Sequence, residues 1–229
     1  RVMHRQEESV AQLFGKIAYS PVLVALILVI SSVFIPPCLA ANKASTFLRL
    51  QFGNDVSIEV PRNWKFLNQN TMQNLNTYSE AVAKFAGIDA NQGDNQILVA
   101  ANAYTNDKKP SATMRLSVRV GSFPSQDEIK FADPTDLRRE AEKTLRKLNS
   151  NLPDNVRGMK LLGVRLERLG AYYTIVADKK VDYVSGPELD RLDVIYVGDK
   201  VYKLNTSYRE SEAWMFKPII RHIRNSLKI

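Results

Sequence analysis

The sequence is poor in cysteine and histidine, and this limits its chemistry. Cys38 is the only cysteine, and His4 and His222 are the only histidines. Cys38 and His4 lie within the first 41 residues, so the rest of the chain can form no internal disulfide and has no thiol nucleophile. One histidine is too few for a multi-histidine zinc site, and no G-x-S-x-G elbow accompanies it. The sequence therefore disfavours most routine hydrolytic and metal-dependent mechanisms.

Charged residues are absent between Lys16 and Lys43, and the centre of this stretch, residues 22–35, is a 14-residue apolar run. A basic residue before an apolar core, Pro36 and Pro37 after it, and small residues over 38–41 are typical of an export signal. We expect residues 1–41 to direct export and to be cleaved after Ala40 or Ala41.

An N-terminal membrane anchor is the alternative for the same segment. A 14-residue helix at ~1.5 Å per residue falls short of the ~30 Å of hydrocarbon in a bilayer, which favours the cleaved signal. In both cases residues 42–229 form one domain outside the cytosol. We expect that domain to be periplasmic or secreted, or held at the inner membrane by a single pass.

Basic residues outnumber acidic ones after the leader, 29 to 22, for a formal net charge of +7. This balance is typical of a soluble domain, and it would also favour an anionic membrane surface or an acidic partner. Nucleic acid is not expected as a partner, since the sequence has no recognised nucleic-acid-binding motif.

Hydrophobic periodicity predicts strands interleaved with helices. Asp133 and Pro134 are typical of a helix start, Pro218 interrupts the last apolar stripe, and Gly198-Asp199 is a two-residue hairpin signal. Pro218 either kinks the last helix or places its regular part after about Lys217. The predicted fold class is α+β, with a mostly antiparallel sheet flanked by helices. The predicted strands are 55–60, 96–104, 112–120, 160–169, 172–177, 189–197 and 200–208, and the predicted helices lie near 75–85, 134–149 and 210–227.

The outer side of the predicted helix 134–149 is strongly basic. A charge run of this kind is usually a solvated face, and the alternative is a docking site for an acidic partner. The candidate basic docking face consists of Arg138, Arg139, Lys143, Arg146 and Lys147.

Three segments together resemble the PsbP-like family. They are the strand ending in Val60-Pro-Arg-Asn-Trp64, the meander with its Gly198-Asp199 hairpin, and the ending that runs from Val201 through Trp214 to Leu227. The resemblance spans nearly all of residues 45–229. It implies an α/β/α sandwich like that of the Ran-binding Mog proteins and of several exported bacterial proteins and lipoproteins.

The same resemblance implies a protein without catalysis, because relatives act as photosystem subunits, a Ran-binding factor and chaperones for secreted effectors. It transfers no ligand-binding residue to this sequence. Trp64 and Trp214 are expected to be core residues, and His222 is expected to be structural.

Two side-chain groups are candidates for binding. Tyrosines of the meander are a candidate ligand cleft between sheet and helix: Tyr172, Tyr183, Tyr196 and Tyr202. Acidic residues nearby could offer oxygen ligands to Ca²⁺ or Mg²⁺: Asp178, Asp182, Glu188, Asp190 and Asp193. No EF-hand pattern is present, and Lys179, Lys180 and Arg191 favour surface charge pairing, so no cofactor is expected.

The sequence thus predicts an exported, non-enzymatic accessory or binding domain that presents a surface to an envelope protein, a membrane or a small ligand. One alternative is a periplasmic enzyme of hydrolase type, using Ser185 or Ser207 with Asp178 or Asp190. Another is a membrane-tethered ligand-binding domain.

Overall fold

A computed structural model describes residues 47–85, 95–105 and 108–229. The predicted leader, residues 1–41, lies outside these ranges. Within them, no helix combines the length and the apolar character that a membrane span requires.

Strands and helices alternate along the described residues as the periodicity predicts. Their order is β1 Phe47–Phe52, β2 Val56–Pro61, β3 Lys65–Phe66, α1 Gln69–Phe85, β4 Gln96–Ala103, β5 Ala112–Val120, α2 Gln126–Lys130, α3 Pro134–Asn149, β6 Val156–Leu169, β7 Tyr172–Tyr183, β8 Gly186–Val197, β9 Lys200–Arg209 and α4 Ala213–Ser226.

Seven of the strands form one sheet in the order β3-β4-β5-β9-β8-β7-β6, with every neighbouring pair antiparallel. Strands β1 and β2 form a separate antiparallel hairpin. The predicted α+β class is confirmed. The Gly198-Asp199 hairpin is confirmed as well, since Val197 pairs with Lys200 and Gly198 has a φ of 59°. That conformation favours glycine because it has no Cβ.

One side of the sheet, the α4 face, is covered by α4 and by the β1–β2 hairpin. Its core brings Ile58 and Val60 of β2 against Leu204 of β9 and against Ile220 and Ile223 of α4. Ile58 and Val60 point into this core, and Glu59 between them is partly exposed, because successive side chains of a strand point to opposite sides. The C-terminus closes this layer, because Lys228 exchanges two backbone hydrogen bonds with Ser57.

The opposite side, the α3 face, is covered by α3 and α2. Asp133 caps α3 by accepting a hydrogen bond of 2.8 Å from the Thr135 amide, and Pro134 occupies the first turn. The predicted stripe of α3 is buried: Leu137, Ala141, Leu145 and Leu148. The bounds predicted for this helix, 134–149, are confirmed.

Other elements differ from the predictions. Strands β7 and β8 extend to Tyr183 and Gly186, which pair with each other, so the turn is shorter than Ser185-Gly-Pro suggests. Helix α4 begins at Ala213 and continues through Pro218, so of the two alternatives for this proline, a regular part that begins near Lys217 is wrong. The sequence analysis did not predict β1, β3 or α2.

Candidate functional site

A cleft of about 600 Å³ opens on the α4 face, between α4 and the strands β6, β7 and β8. The helix contributes Lys217, Ile220 and Arg221 to its walls, and the sheet contributes Leu162 and Leu189 among others. Both apolar and charged side chains line it, which is typical of a ligand or partner site. We call it the α4 cleft.

Three arginines and three carboxylates form a continuous chain of ion pairs along the floor of the α4 cleft. Arg165 Nε donates to Glu167 at 2.6 Å, Arg191 Nη2 donates to Glu167 at 2.9 Å, and Arg224 Nε donates to Asp193 at 2.7 Å. Arg165 also pairs with Asp178. The chain runs Asp178, Arg165, Glu167, Arg191, Asp193 and Arg224, and Arg224 closes it by pairing with Glu167 as well. It balances three positive with three negative charges.

The electrostatics of this chain favour the ionised form of Glu167. Burial by itself would raise the pKa of Glu167, but the hydrogen bond from Arg165 and the charges of Arg191 and Arg224 outweigh it and lower that pKa. Asp193 is fully buried and accepts from both Arg191 and Arg224. These groups therefore hold α4 to the sheet.

Two cations at the rim remain without such pairing. Lys217 and Arg221 are exposed on α4, and neither has an ion-pair or hydrogen-bond partner among the residues that the structure describes. Tyr208 stands on the opposite wall, where burial and the nearby Asp178 charge raise the pKa of its hydroxyl. The site therefore offers unpaired positive charge above a neutral, partly apolar floor.

The four predicted cleft tyrosines are not brought together. Tyr172 and Tyr202 belong to the core of the α4 face, whereas Tyr183 and Tyr196 belong to two clusters on the α3 face. Alternate residues of a strand point to opposite sides of the sheet, which separates the set into two pairs. Tyr208 is the meander tyrosine that lines the α4 cleft.

The acidic group is also dispersed. Asp178 and Asp193 pair with arginines of the α4 cleft, whereas Asp190 lies on the other face, with Oδ2 3.6 Å from Lys179 Nζ. Burial raises the pKa of Asp190 to about 6, and burial with the Asp190 charge raises that of Glu188 to about 8. The expected pairing is therefore present, but Asp190 and Asp193 are buried and not on the surface. No cluster of three metal-ligating side chains occurs within the described ranges.

The predicted basic docking face on α3 is exposed, and much of its charge is paired within the helix. Arg138 pairs with Glu142 at 2.9 Å, Arg139 pairs with Asp136, and Lys143 lies 4.0 Å from Glu140. Exposed pairs at this spacing contribute only a few tenths of a kcal/mol. Arg146 and Lys147 complete the face in the last turn of the helix.

The two tryptophans differ in a way that the sequence analysis missed. Trp64 is 4% exposed and meets Phe216 edge to face at 6.3 Å, as expected for a core residue. Trp214 is 77% exposed, so its prediction as a core residue is wrong. It occupies the solvent side of α4, whose buried side is formed by Phe216, Ile220 and Ile223.

Ser207, one of the two serines considered for a hydrolase, is buried within the sheet. Ser207 is 2% exposed, and its hydroxyl lies 2.9 Å from that of Thr113. Asp190 is its cross-strand neighbour, but His222 lies on the α4 side, where its Nε2 is 2.6 Å from Glu59 and its ring stacks on Phe47. His222 thus joins α4 to the hairpin, which is a structural position.

The arginines of the α4 cleft were the functional candidates that the sequence analysis overlooked. A signal for them is present, since Arg165 and Glu167, and likewise Arg191 and Asp193, are opposite charges two residues apart on a strand. Such pairs share one side of a strand. The sequence does not show that α4 packs over these pairs, where Arg224 contacts both Glu167 and Asp193.

The architecture is an α+β fold with a cleft between its sheet and its C-terminal helix, and it is PsbP-like. The chain is similar to cyanobacterial PsbP (CyanoP) from Synechocystis sp. PCC 6803, with a TM-score of 0.52 and 11% identity over 84% of this chain and 97% of that one. This likeness confirms the predicted fold, and a shared fold does not assign a function.

Two further solved structures show a weaker likeness. LpqN, involved in cell envelope biogenesis of Mycobacterium tuberculosis, gives a TM-score of 0.42 at 15% identity, over 82% of this chain and 93% of that one. The Saccharomyces cerevisiae Ran-binding protein Mog1p gives 0.43 at 6% identity, over 81% and 96%. No protein-family model matches the sequence, and neither does a curated protein.

Proposed function

We propose that this chain is an exported, non-enzymatic binding domain that holds an acidic ligand or partner segment in the α4 cleft. The observation that carries the proposal is the pair of rim cations, Lys217 and Arg221. They have no ion-pair partner in the described part of the chain, and they lie over a floor whose own charges are balanced.

Charge complementarity supports an anionic ligand. The floor contributes no net charge, because three arginines face three carboxylates, so the rim cations set the sign of the potential at the mouth. Cations that have no acidic partner can bind a carboxylate or phosphate without first breaking an ion pair. Leu162, Leu189 and Ile220 would contact the apolar part of such a ligand.

Binding is favoured over catalysis by the way the reactive groups are occupied. The arginines and carboxylates of the floor hydrogen-bond to one another, and His222 is engaged with Glu59. A hydrolase would need a nucleophile beside a base of suitable pKa, and Ser207 is buried against Thr113. Turnover in a broad hydrolase screen, lost on changing Ser207 to alanine, would contradict a non-enzymatic role.

The cleft can be closed by a substitution that the backbone tolerates. Gly163 lines the cleft from β6, and an added Cβ there would meet no atom within 4 Å. Gly163→Leu should therefore fill the cleft without disturbing the strand. Gly158→Leu is the matched control, because Gly158 lies on the same strand with equally open space and outside the cleft lining.

The test is capture of ligands and partners from envelope extracts on immobilised protein, followed by titration of each captured species. We expect acidic species that bind wild type and Gly158→Leu with equal affinity and bind Gly163→Leu at least ten-fold more weakly. Equal binding to all three proteins, or loss with both leucine variants, would exclude the α4 cleft as the site.

Export is supported by the charge-free stretch between Lys16 and Lys43. Cell fractionation with N-terminal sequencing of the product tests it. We expect a periplasmic or secreted product that begins at residue 41 or 42, or an inner-membrane product that retains the leader. An intact product that is soluble in the cytosol would contradict export.

A further inference from the structure

The solvent side of α4 carries an exposed tryptophan among basic residues. We call the set Trp214, Lys217, Pro218, Arg221 and Asn225 the α4 outer face. We propose that this face docks on an anionic membrane surface, with Trp214 at the interface between headgroups and acyl chains. The proposal goes beyond ligand binding in the α4 cleft, since the partner is a lipid surface and the anchor is Trp214, outside the cleft lining. Lys217, Arg221 and Asn225 belong to both surfaces, because they lie where the outer side of the helix meets the cleft rim.

The position of Trp214 is the first observation. With 77% of its surface exposed, it lies on the side of α4 opposite the buried Phe216, Ile220 and Ile223. Next to cations on the same side of the helix, this exposed ring can contact a partner together with them. The indole ring, apolar with one N–H donor, prefers the membrane interface.

Charge on the same side is the second observation. Helix α4 contains Lys217, Arg221 and Arg224 and no acidic residue. The side chain of Arg224 points toward the sheet and pairs with Glu167 and Asp193. Lys217 and Arg221 face outward and have no partner in the described part of the chain. The acids just before the helix are engaged elsewhere, Glu210 with Lys180 and Glu212 with Thr105.

The other basic helix provides a contrast. The exposed cations of α3 are interleaved with Asp136, Glu140 and Glu142, and α3 has no aromatic residue. An anionic bilayer would therefore attract α3 less strongly than α4, although α3 has the larger number of cations. The α3 face does have an exposed aromatic residue, Phe131 at the end of α2, with Lys130 over its ring. The difference in charge pairing favours α4 over the basic face of α3 as the membrane side.

The route of the chain is the third observation. Phe47, where the described part begins, stacks on His222 of α4 with ring centroids 3.8 Å apart. The apolar run ends at Ile35, and the eleven residues 36–46 that follow can span at most about 40 Å. While the leader is in the bilayer, during export or as a lasting anchor, α4 is confined near the membrane surface. This confinement raises the effective concentration for docking.

Tryptophan fluorescence of the full chain tests the proposal. The sequence has two tryptophans, and Trp64 is buried, so the difference between wild type and Trp214→Phe isolates the emission of Trp214. The chain is reconstituted with vesicles of phosphatidylglycerol and phosphatidylethanolamine at 3:7, or of phosphatidylcholine alone. Association through the leader does not itself produce the signal, because the leader has no tryptophan.

We expect Trp214 emission to shift to the blue and to be protected from acrylamide in the anionic vesicles and not in phosphatidylcholine. Removal of both cations in Lys217→Gln/Arg221→Gln should shift the docking equilibrium about 30-fold toward the undocked state, at about five-fold per cation. Arg146→Gln/Lys147→Gln removes the same charge from α3 and should leave docking unchanged.

Three outcomes would overturn the proposal. They are equal quenching of Trp214 in buffer and in anionic vesicles, equal loss of protection in the α3 and α4 variants, and protection that requires an added protein instead of lipid. Gly163→Leu should dock normally, so failure of the cleft and failure of membrane docking are distinguishable.

Discussion

Replacing Lys203 by methionine should stabilise the protein at and below neutral pH, and progressively less as the pH rises. Lys203 lies on β9, on the α3 face, and is 2% exposed. Its Nζ has no hydrogen-bond partner among the described residues. Burial, with a smaller effect of the positive charge of Arg119, lowers its pKa from 10.5 to about 7.

The size of the effect follows from the difference in proton binding between the unfolded and folded chains. Between pH 7 and pH 10.5 the unfolded chain holds a proton on Lys203 that the folded chain does not, so stability rises with pH across this window. At about 1.4 kcal/mol per pKa unit, the cost of Lys203 is up to about 5 kcal/mol below pH 7 and about 2 kcal/mol at pH 9. Methionine has a similar volume and no charge, so it avoids this cost.

The assay is urea unfolding of wild type and Lys203→Met at pH 6 and at pH 9. We expect the variant to be more stable at both values, with its advantage smaller by about 3 kcal/mol at pH 9. Lys160→Met, at an exposed position of β6, is the control and should give no such pH dependence. An advantage that is constant between pH 6 and pH 9 would refute the reasoning, because it would show that charge burial is not the cause.

Two further predictions concern the α4 side. Asp193→Asn should lower the free energy of unfolding by about 3 kcal/mol in urea titrations, because it leaves Arg191 and Arg224 with less compensating charge in a buried place. Asp136→Asn, at a partly exposed position, should cost under about 1 kcal/mol, and equal costs for the two variants would contradict a buried network. His222→Ala should raise the pKa of Glu59 toward 4.5 in an NMR titration, since the hydrogen bond from His222 is the main cause of its lowering and that from Arg49 the second. The stabilisation from the ionised Glu59 is present above pH 4.5 and is lost as the pH falls through the lowered pKa, so an unchanged titration in the variant would show that the contact is not made in solution.

Most of the fold was predictable from local signals. Helix α3 has its cap at Asp133, its proline in the first turn and its stripe of leucines within one short segment, and its bounds were predicted correctly. The β8–β9 hairpin likewise depends on Gly198 and the alternating residues beside it. By contrast, β1 was missed because its residues are only partly buried, and its pairing with β2 is what makes it a strand.

The site was much less predictable, because binding groups are assembled across elements that are distant in sequence. Tyr172 and Tyr202 lie on the opposite side of the sheet from Tyr183 and Tyr196. Which side each tyrosine occupies depends on strand register and bulges. Trp214 was expected in the core but lies outside, because it occupies the side of α4 opposite the buried Phe216 and Ile220.

Two properties were determined by the sequence alone. The absence of cysteine after residue 38 excludes disulfides and a thiol nucleophile from the rest of the chain, and the spacing of apolar residues predicts individual helices and strands. Neither inference requires knowledge of tertiary contacts. Tertiary structure decided which charges meet. Arg224 reaches Glu167, 57 residues earlier in the chain, only after α4 has packed on the sheet, and that packing also leaves Lys217 and Arg221 unpaired. The physical reason is that electrostatic interactions depend on distance and burial in three dimensions, which residue spacing along the chain does not specify.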